Sequence, residues 1–220
     1  MTETMQDQVS ENPAPLNTTP AKEVSGSGPP RPDRDAPTGD EIAFVQRLSQ
    51  LDRGDLAALR RSAGDTIAEG LRKVPWFYGP RMGVDRGRHE EIYFLVATLY
   101  GLNKLGDTGD FGHSMWRLAQ AGGNSDAIER RFWVLLDAQF GETTDGGPTG
   151  GELSYRLRQL VKLAKSKEVG VHWAQLLHDL KRWGFEDKSV QKKWARNFYP
   201  APNAGPSAGE DKNLGAPPAP

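Results

Sequence analysis

The sequence predicts an all-α protein: two packed helical-bundle lobes flanked by disordered, proline-rich tails. Three observations lead there. Between residues 40 and 200, apolar side chains recur three and four positions apart in one segment after another, the period of a helix that buries one face. No stretch of that body alternates apolar and polar residues as a half-buried strand would. Seven of the 16 prolines fall in residues 1–39 and five more in 201–220, where large apolar side chains are sparse. Such segments bury too little apolar surface to offset the entropy of ordering them. All six tryptophans lie in the body between them, which is long enough for a real core, since a ~150-residue domain buries about 70% of its unfolded surface.

The elements follow in order. Thr38-Gly39-Asp40-Glu41 has capping-box spacing. Ile42, Val45, Leu48 and Leu51 then give a first helix to about Asp52. Gly54 breaks it, and Asp55 can cap a short second helix carrying Leu56, Leu59, Arg60 and Arg61. Asp65 can cap a third, to about Lys73, before Pro75 and Gly79-Pro80 mark a loop. Residues 88–102 are apolar nearly all round, as expected of a helix at a bundle centre. A glycine-rich loop, 106–112, precedes a short helix over 114–120. Ser125 then caps an amphipathic helix with Ile128, Phe132, Leu135 and Leu136 on one face.

Residues 141–151 read as a flexible loop, dividing an N-terminal helical lobe (40–140) from a C-terminal basic one (152–200). The helix over 152–166 gathers Leu153, Leu157, Leu160, Val161 and Ala164. The next gathers Trp173, Leu176, Leu177, Leu180 and Trp183, and the last Val190, Trp194 and Phe198.

Cysteine is absent, so disulfides and thiolate metal sites are excluded. No run approaches the ~18–20 apolar residues that span a bilayer, and the first 20 residues lack a basic-then-apolar signal pattern. A cytoplasmic protein with no membrane contact is expected. The net charge of −1 hides an asymmetry: residues 152–200 hold 11 basic and five acidic side chains, the footprint of a polyanion site.

Catalytic patterns are lacking. His89, His113, His172 and His178 include no i, i+4 pair and no HExxH; they read as scattered surface residues, and no metal or cofactor is expected. Asp107-Thr108-Gly109 and Asp110-Phe111-Gly112 match an aspartic-protease and a kinase triplet, but both lack the surrounding motifs that those chemistries need. Glycines that turn and aspartates that cap account for this loop.

The basic residues are better organised. Arg158, Lys162 and Lys165 collect opposite the leucine face of their helix, a stripe suited to successive phosphates. Lys192, Lys193 and Arg196 are expected to face away from Val190, Trp194 and Phe198. The pairs Arg60-Arg61 and Arg130-Arg131 fall outside the apolar stripes, and Arg88 and Arg117 join the set by charge and position. Arginine forks bind phosphate bidentately. Pairing with Asp126, Glu129 or Asp137 is the competing use; the runner-up function is a helical scaffold whose basic face contacts acidic protein surfaces. Trp173, Trp183, Trp194 and Phe198 lie on apolar faces and are expected in the core rather than stacked on bases. Backbone recognition without sequence reading is therefore expected.

An ordered series of motifs resembles the CasB family. It runs through Leu51-Asp52-x-Gly54, Leu59-Arg60-Arg61, Phe94-Leu95-Val96-Ala97-Thr98-Leu99-Tyr100-Gly101-Leu102, Phe111-Gly112-x-Ser114 and Glu129-Arg130-Arg131-Phe132. It continues through Tyr155-Arg156-Leu157-Arg158-Gln159-Leu160-Val161, Trp173-x-x-Leu176-Leu177-x-Asp179-Leu180-x-x-Trp183 and Val190-Gln191-x-x-Trp194-Ala195-Arg196-x-Phe198-Tyr199. That family supplies the small subunit of Cascade, the type I-E CRISPR interference complex. The resemblance implies two helical lobes, and two copies head to tail along the guide RNA among the other Cascade subunits. It implies a non-catalytic role in holding the R-loop, with crRNA and target DNA as ligands. Arg61, Arg131 and Arg158 sit inside matching motifs, which Arg60 and Arg130 share. His172 departs from the aspartate expected as a helix cap, and the proline-rich tails have no counterpart.

Overall fold

The short polar side chains of Thr38, Asp52, Thr66, Asp110 and Asn124 set helix starts, though they are not always the caps expected. The computed structural model describes residues 34–80, 82–84, 87, 89–121, 124–141 and 147–200. In it, α1 (Gly39–Ser49) opens on the capping box of Thr38 and Glu41. α2 (Arg53–Arg61) is capped by Asp52 rather than Asp55. Starting one turn earlier adds backbone hydrogen bonds without changing the buried face, so Gly54 lies inside the first turn. α3 (Ile67–Lys73) is capped by Thr66, not Asp65, because Glu69 stands three residues on and closes a second capping box. α4 (Glu90–Leu102) follows a single 3-10 turn at Pro75–Tyr78.

α5 (Phe111–Ala121) begins three residues before its expected start, since Asp110 Oδ1 accepts the His113 N–H at 3.0 Å. α6 (Ser125–Asp137) is capped by Asn124, one residue before the expected Ser125. α7 (Gly151–Ser166), α8 (Trp173–Lys181) and α9 (Ser189–Phe198) complete the series. His172 does cap α8, its Nδ1 accepting the Gln175 N–H at 3.0 Å. Among the described residues β-structure is limited to one isolated bridge, between Gly106 and Val171.

Packing follows from α4, whose residues from Ile92 through Gly101 are all buried. α2, α7 and α8 lie against it, and α1 lies on α8. α5 packs on α6 and α9, and α7 touches α4, α5 and α6, so the helices share one core. α5 approaches α9 closely: a methyl group on Gly112 would overlap the backbone carbonyl of Trp194. Trp173, Trp183, Trp194 and Phe198 are core residues, as expected. Each buried indole N–H finds an acceptor: Leu105 O at 3.1 Å, Ala138 O at 3.0 Å and Asp179 Oδ2 at 2.6 Å, in that order of tryptophans.

α1 is rotated from its expected register. Glu41, Phe44 and Leu48 are buried, while Ile42 is 42% exposed. Glu41 goes inside because α8 supplies partners: Lys181 Nζ and His178 Nδ1 each lie 3.0 Å from one of its carboxylate oxygens. Burial pushes the Glu41 carboxyl up, but the Thr38 N–H and Lys181 outweigh it and hold it below the usual carboxylate range. His178 is thus buried rather than a surface residue; a hydropathy pattern does not show the acid that receives it.

Residues 34–38, assigned to the N-terminal tail, lie on α8. Gln175 Nε2 donates to Asp35 O at 2.8 Å, and Arg182 to Arg34 O at 2.7 Å. The rest of both expected tails, 1–33 and 201–220, and residues 142–146 of the expected flexible loop lie outside the described residues. No helix among the described residues is long and apolar enough to cross a membrane.

Candidate nucleic-acid interface

The predicted basic residues divide by whether the fold already uses them. Arg60 Nε donates to Gly101 O at 3.0 Å, meeting one of the carbonyls left open at the end of α4. Arg117 pairs with Asp107 at 2.5 Å. Arg158 is half-buried beneath Gly64 and donates to Thr149 O at 3.2 Å; burial pushes its guanidinium below the usual range. Lys193 does not face away from the core as expected: its Nζ reaches Asp179 Oδ1 at 2.5 Å. The long stem carries the charge to a carboxylate that a helical wheel does not show.

Arg61, Arg130, Arg131, Lys162, Lys165, Lys192 and Arg196 stand differently. All seven are exposed, and none makes a hydrogen bond or ion pair with another described residue. Of the acids that could have claimed the α6 pair, Glu129 accepts the Tyr199 hydroxyl at 2.5 Å and Asp126 accepts Ser125 Oγ at 3.4 Å. Arg88 lies outside the described residues.

α6 and α7 lie side by side, and the groove between them is lined by Arg131, Tyr155, Arg156, Gln159 and Leu160, enclosing about 230 Å³. Arg131 alone of the predicted set lines it. Tyr155 and Arg156 were not among the expected contacts. Exposed aromatics were also missed: Trp133, Tyr155, Phe185 and Tyr199 are each about half exposed. The Trp133 indole N–H is fixed by the Tyr199 hydroxyl at 2.9 Å. Their signal in the sequence is position: each falls outside the apolar stripe of its own helix or beyond its end.

The carboxylates of the glycine-rich loop over 106–112 have structural uses. Asp107 holds Arg117. Asp110 caps α5 and accepts Asn197 Nδ2 at 2.7 Å; burial raises its pKa against those hydrogen bonds. Asp179 is fully buried and accepts from Gln175, Lys193 and Trp194. Among the described residues no group of three or more histidines and carboxylates could hold a metal ion.

Comparison with known proteins gives a consistent picture. Residues 55–199 match the family described as CRISPR-associated protein Cse2. A protein of that name from Thermus thermophilus is 34% identical over 162 residues, 71% of this chain and 83% of the relative. The crystal structure of M. ruber CasB, 34% identical, covers 73% of this chain and 92% of its own with a TM-score of 0.57. The CasB structure from Thermobifida fusca, 19% identical, shares the fold at a TM-score of 0.56 over 75% of this chain and all of its own.

Proposed function

The chain belongs to the Cse2 family of CRISPR-associated proteins, and from that premise we propose that it is the non-catalytic small subunit of Cascade, the type I-E CRISPR interference complex. In this reading it works in the cytoplasm beside the other Cascade subunits and a second copy of itself. It binds the backbones of the crRNA–target DNA hybrid and of the displaced strand, and so stabilises the R-loop in antiviral defence. The observation that carries the reading is the set of seven exposed cations on α2, α6, α7 and α9 that make no hydrogen bond or ion pair with a described residue. Cations outside any ion pair among the described residues are free to replace counterions on phosphate. Base pairing would read the sequence while the protein reads backbone geometry.

The test is target binding by Cascade assembled with the Arg61→Ala/Arg131→Ala variant. Weaker R-loop formation with unchanged thermal unfolding is expected, whereas wild-type target binding would count against the reading. A specific observation favours a scaffold role as well: Trp133 and Val134 are exposed side by side on α6, an apolar pair suited to a subunit contact. If that role stood alone, Trp133→Ala would loosen assembly while the arginine variant left target binding intact.

A further inference from the structure

Exposed lysines and arginines cannot tell a single strand from a duplex, because both present phosphate. The groove between α6 and α7 carries a group that can. Tyr155 is 49% exposed on α7, and the Arg156 guanidinium lies 5.8 Å from its ring centroid. Arg156 is also tied to Glu152 at 3.0 Å, which holds it in place and neutralises the one carboxylate bonded beside it. Arg131 forms part of the lining with no partner among the described residues, so the groove is left net positive. Gln159, one turn beyond Tyr155, is exposed and its amide makes no hydrogen bond to a described residue. Leu160, almost fully buried, supplies the apolar part of the lining.

We propose that this groove takes one unpaired nucleotide, its base laid on Tyr155 and its phosphate against Arg131. The inference rests on the nucleic-acid reading above and narrows it to a single strand at this site. The volume of about 230 Å³ falls below the ~300–1,000 Å³ of pockets for drug-sized ligands, which suits a base and not a larger cofactor. A double helix keeps its bases stacked on one another and cannot offer a face to the ring. Stacking tolerates any base because every base has a π-face. Gln159, which both donates and accepts, can meet the edge of any of them. The site therefore adds affinity for unpaired strands without reading their sequence.

The test uses the full chain and three probes of equal length: a mixed-sequence single strand, its duplex, and an abasic single strand with the same phosphates. The wild type is expected to bind the single strand about tenfold more tightly than the abasic strand, as one stacked base provides. Tyr155→Ala should bring the two to equal affinity, and Tyr155→Phe should restore the difference. Arg131→Ala should weaken both strands in parallel. Equal wild-type affinity for the single and abasic strands, or a Tyr155→Ala variant that keeps the preference, overturns the site and leaves backbone binding standing. Failure of the wild type to bind any of the three probes overturns the nucleic-acid reading and this site together.

Discussion

Helices α7 and α8 both carry lysines on an amphipathic frame, yet the fold uses those lysines in opposite ways. On α8, Lys181 is held by Glu41, and the C-cap Arg182 by Asp35, each at 3.0 Å, and every residue from Trp173 through Leu180 is buried. On α7, Lys162 and Lys165 stand in solvent with no described partner. The difference lies in what the opposing elements present. α1 and residues 34–35 bring acids to α8, whereas no described acid bonds Lys162 or Lys165 on α7. A lysine's role here is decided by the acid within its reach, not by its own place on the helix.

The largest effect should come from breaking the inside of that comparison. Asp179→Ala removes a fully buried acceptor and leaves the Lys193 ammonium and the Trp194 indole N–H without it. A loss of roughly 3–5 kcal/mol in urea unfolding is expected, as for other broken buried pairs. A loss below 1 kcal/mol would show that water reaches these groups.

Glu41→Gln is next, at about 2–3 kcal/mol near pH 7, because it leaves Lys181 and His178 facing a neutral amide. The pH dependence has a definite sign. The Glu41 carboxyl is held below its ordinary value of 4.5 in the folded state, so its contribution is complete above that value and is lost as pH falls through the lower folded one. Thermal unfolding from pH 7 to pH 3 should therefore show the wild type and the variant converging at the acid end. A constant gap would mean that the contribution is packing rather than charge.

Smaller still, Arg158→Ala should cost about 1–2 kcal/mol through its lost bond to Thr149 O. Lys162→Ala, one turn away on α7, should stay within about 0.5 kcal/mol of the wild type. Equal losses for the two would erase the distinction between tethered and free cations.

The faces of α8 and α9 were legible in the sequence because apolar periodicity reports burial whenever both partners are apolar. Thr38 and Glu41 were legible as a capping box because a cap is local. What escaped depends on distant partners. Glu41 is buried because Lys181 lies 140 positions along the chain, and Lys193 turns inward because Asp179 waits on another helix. His178 could not be placed inside without knowing that Arg34 and Glu41 receive it. Tyr155 is the converse case: it was legible within a family motif, but only the neighbouring Arg131 on α6 shows the groove that it lines.

The central claim is that tethered and free cations do separate work, and one paired measurement tests it. Each of the 11 described basic residues of the predicted set would be changed to alanine, and each variant read by thermal unfolding and by the salt dependence of single-strand binding. Arg61, Arg130, Arg131, Lys162, Lys165, Lys192 and Arg196 should each lower the log–log salt slope by about 0.7 with unfolding unchanged. Arg60, Arg117, Arg158 and Lys193 should shift unfolding and leave the slope alone. Slopes that fall for the tethered four while their stability holds would contradict the account.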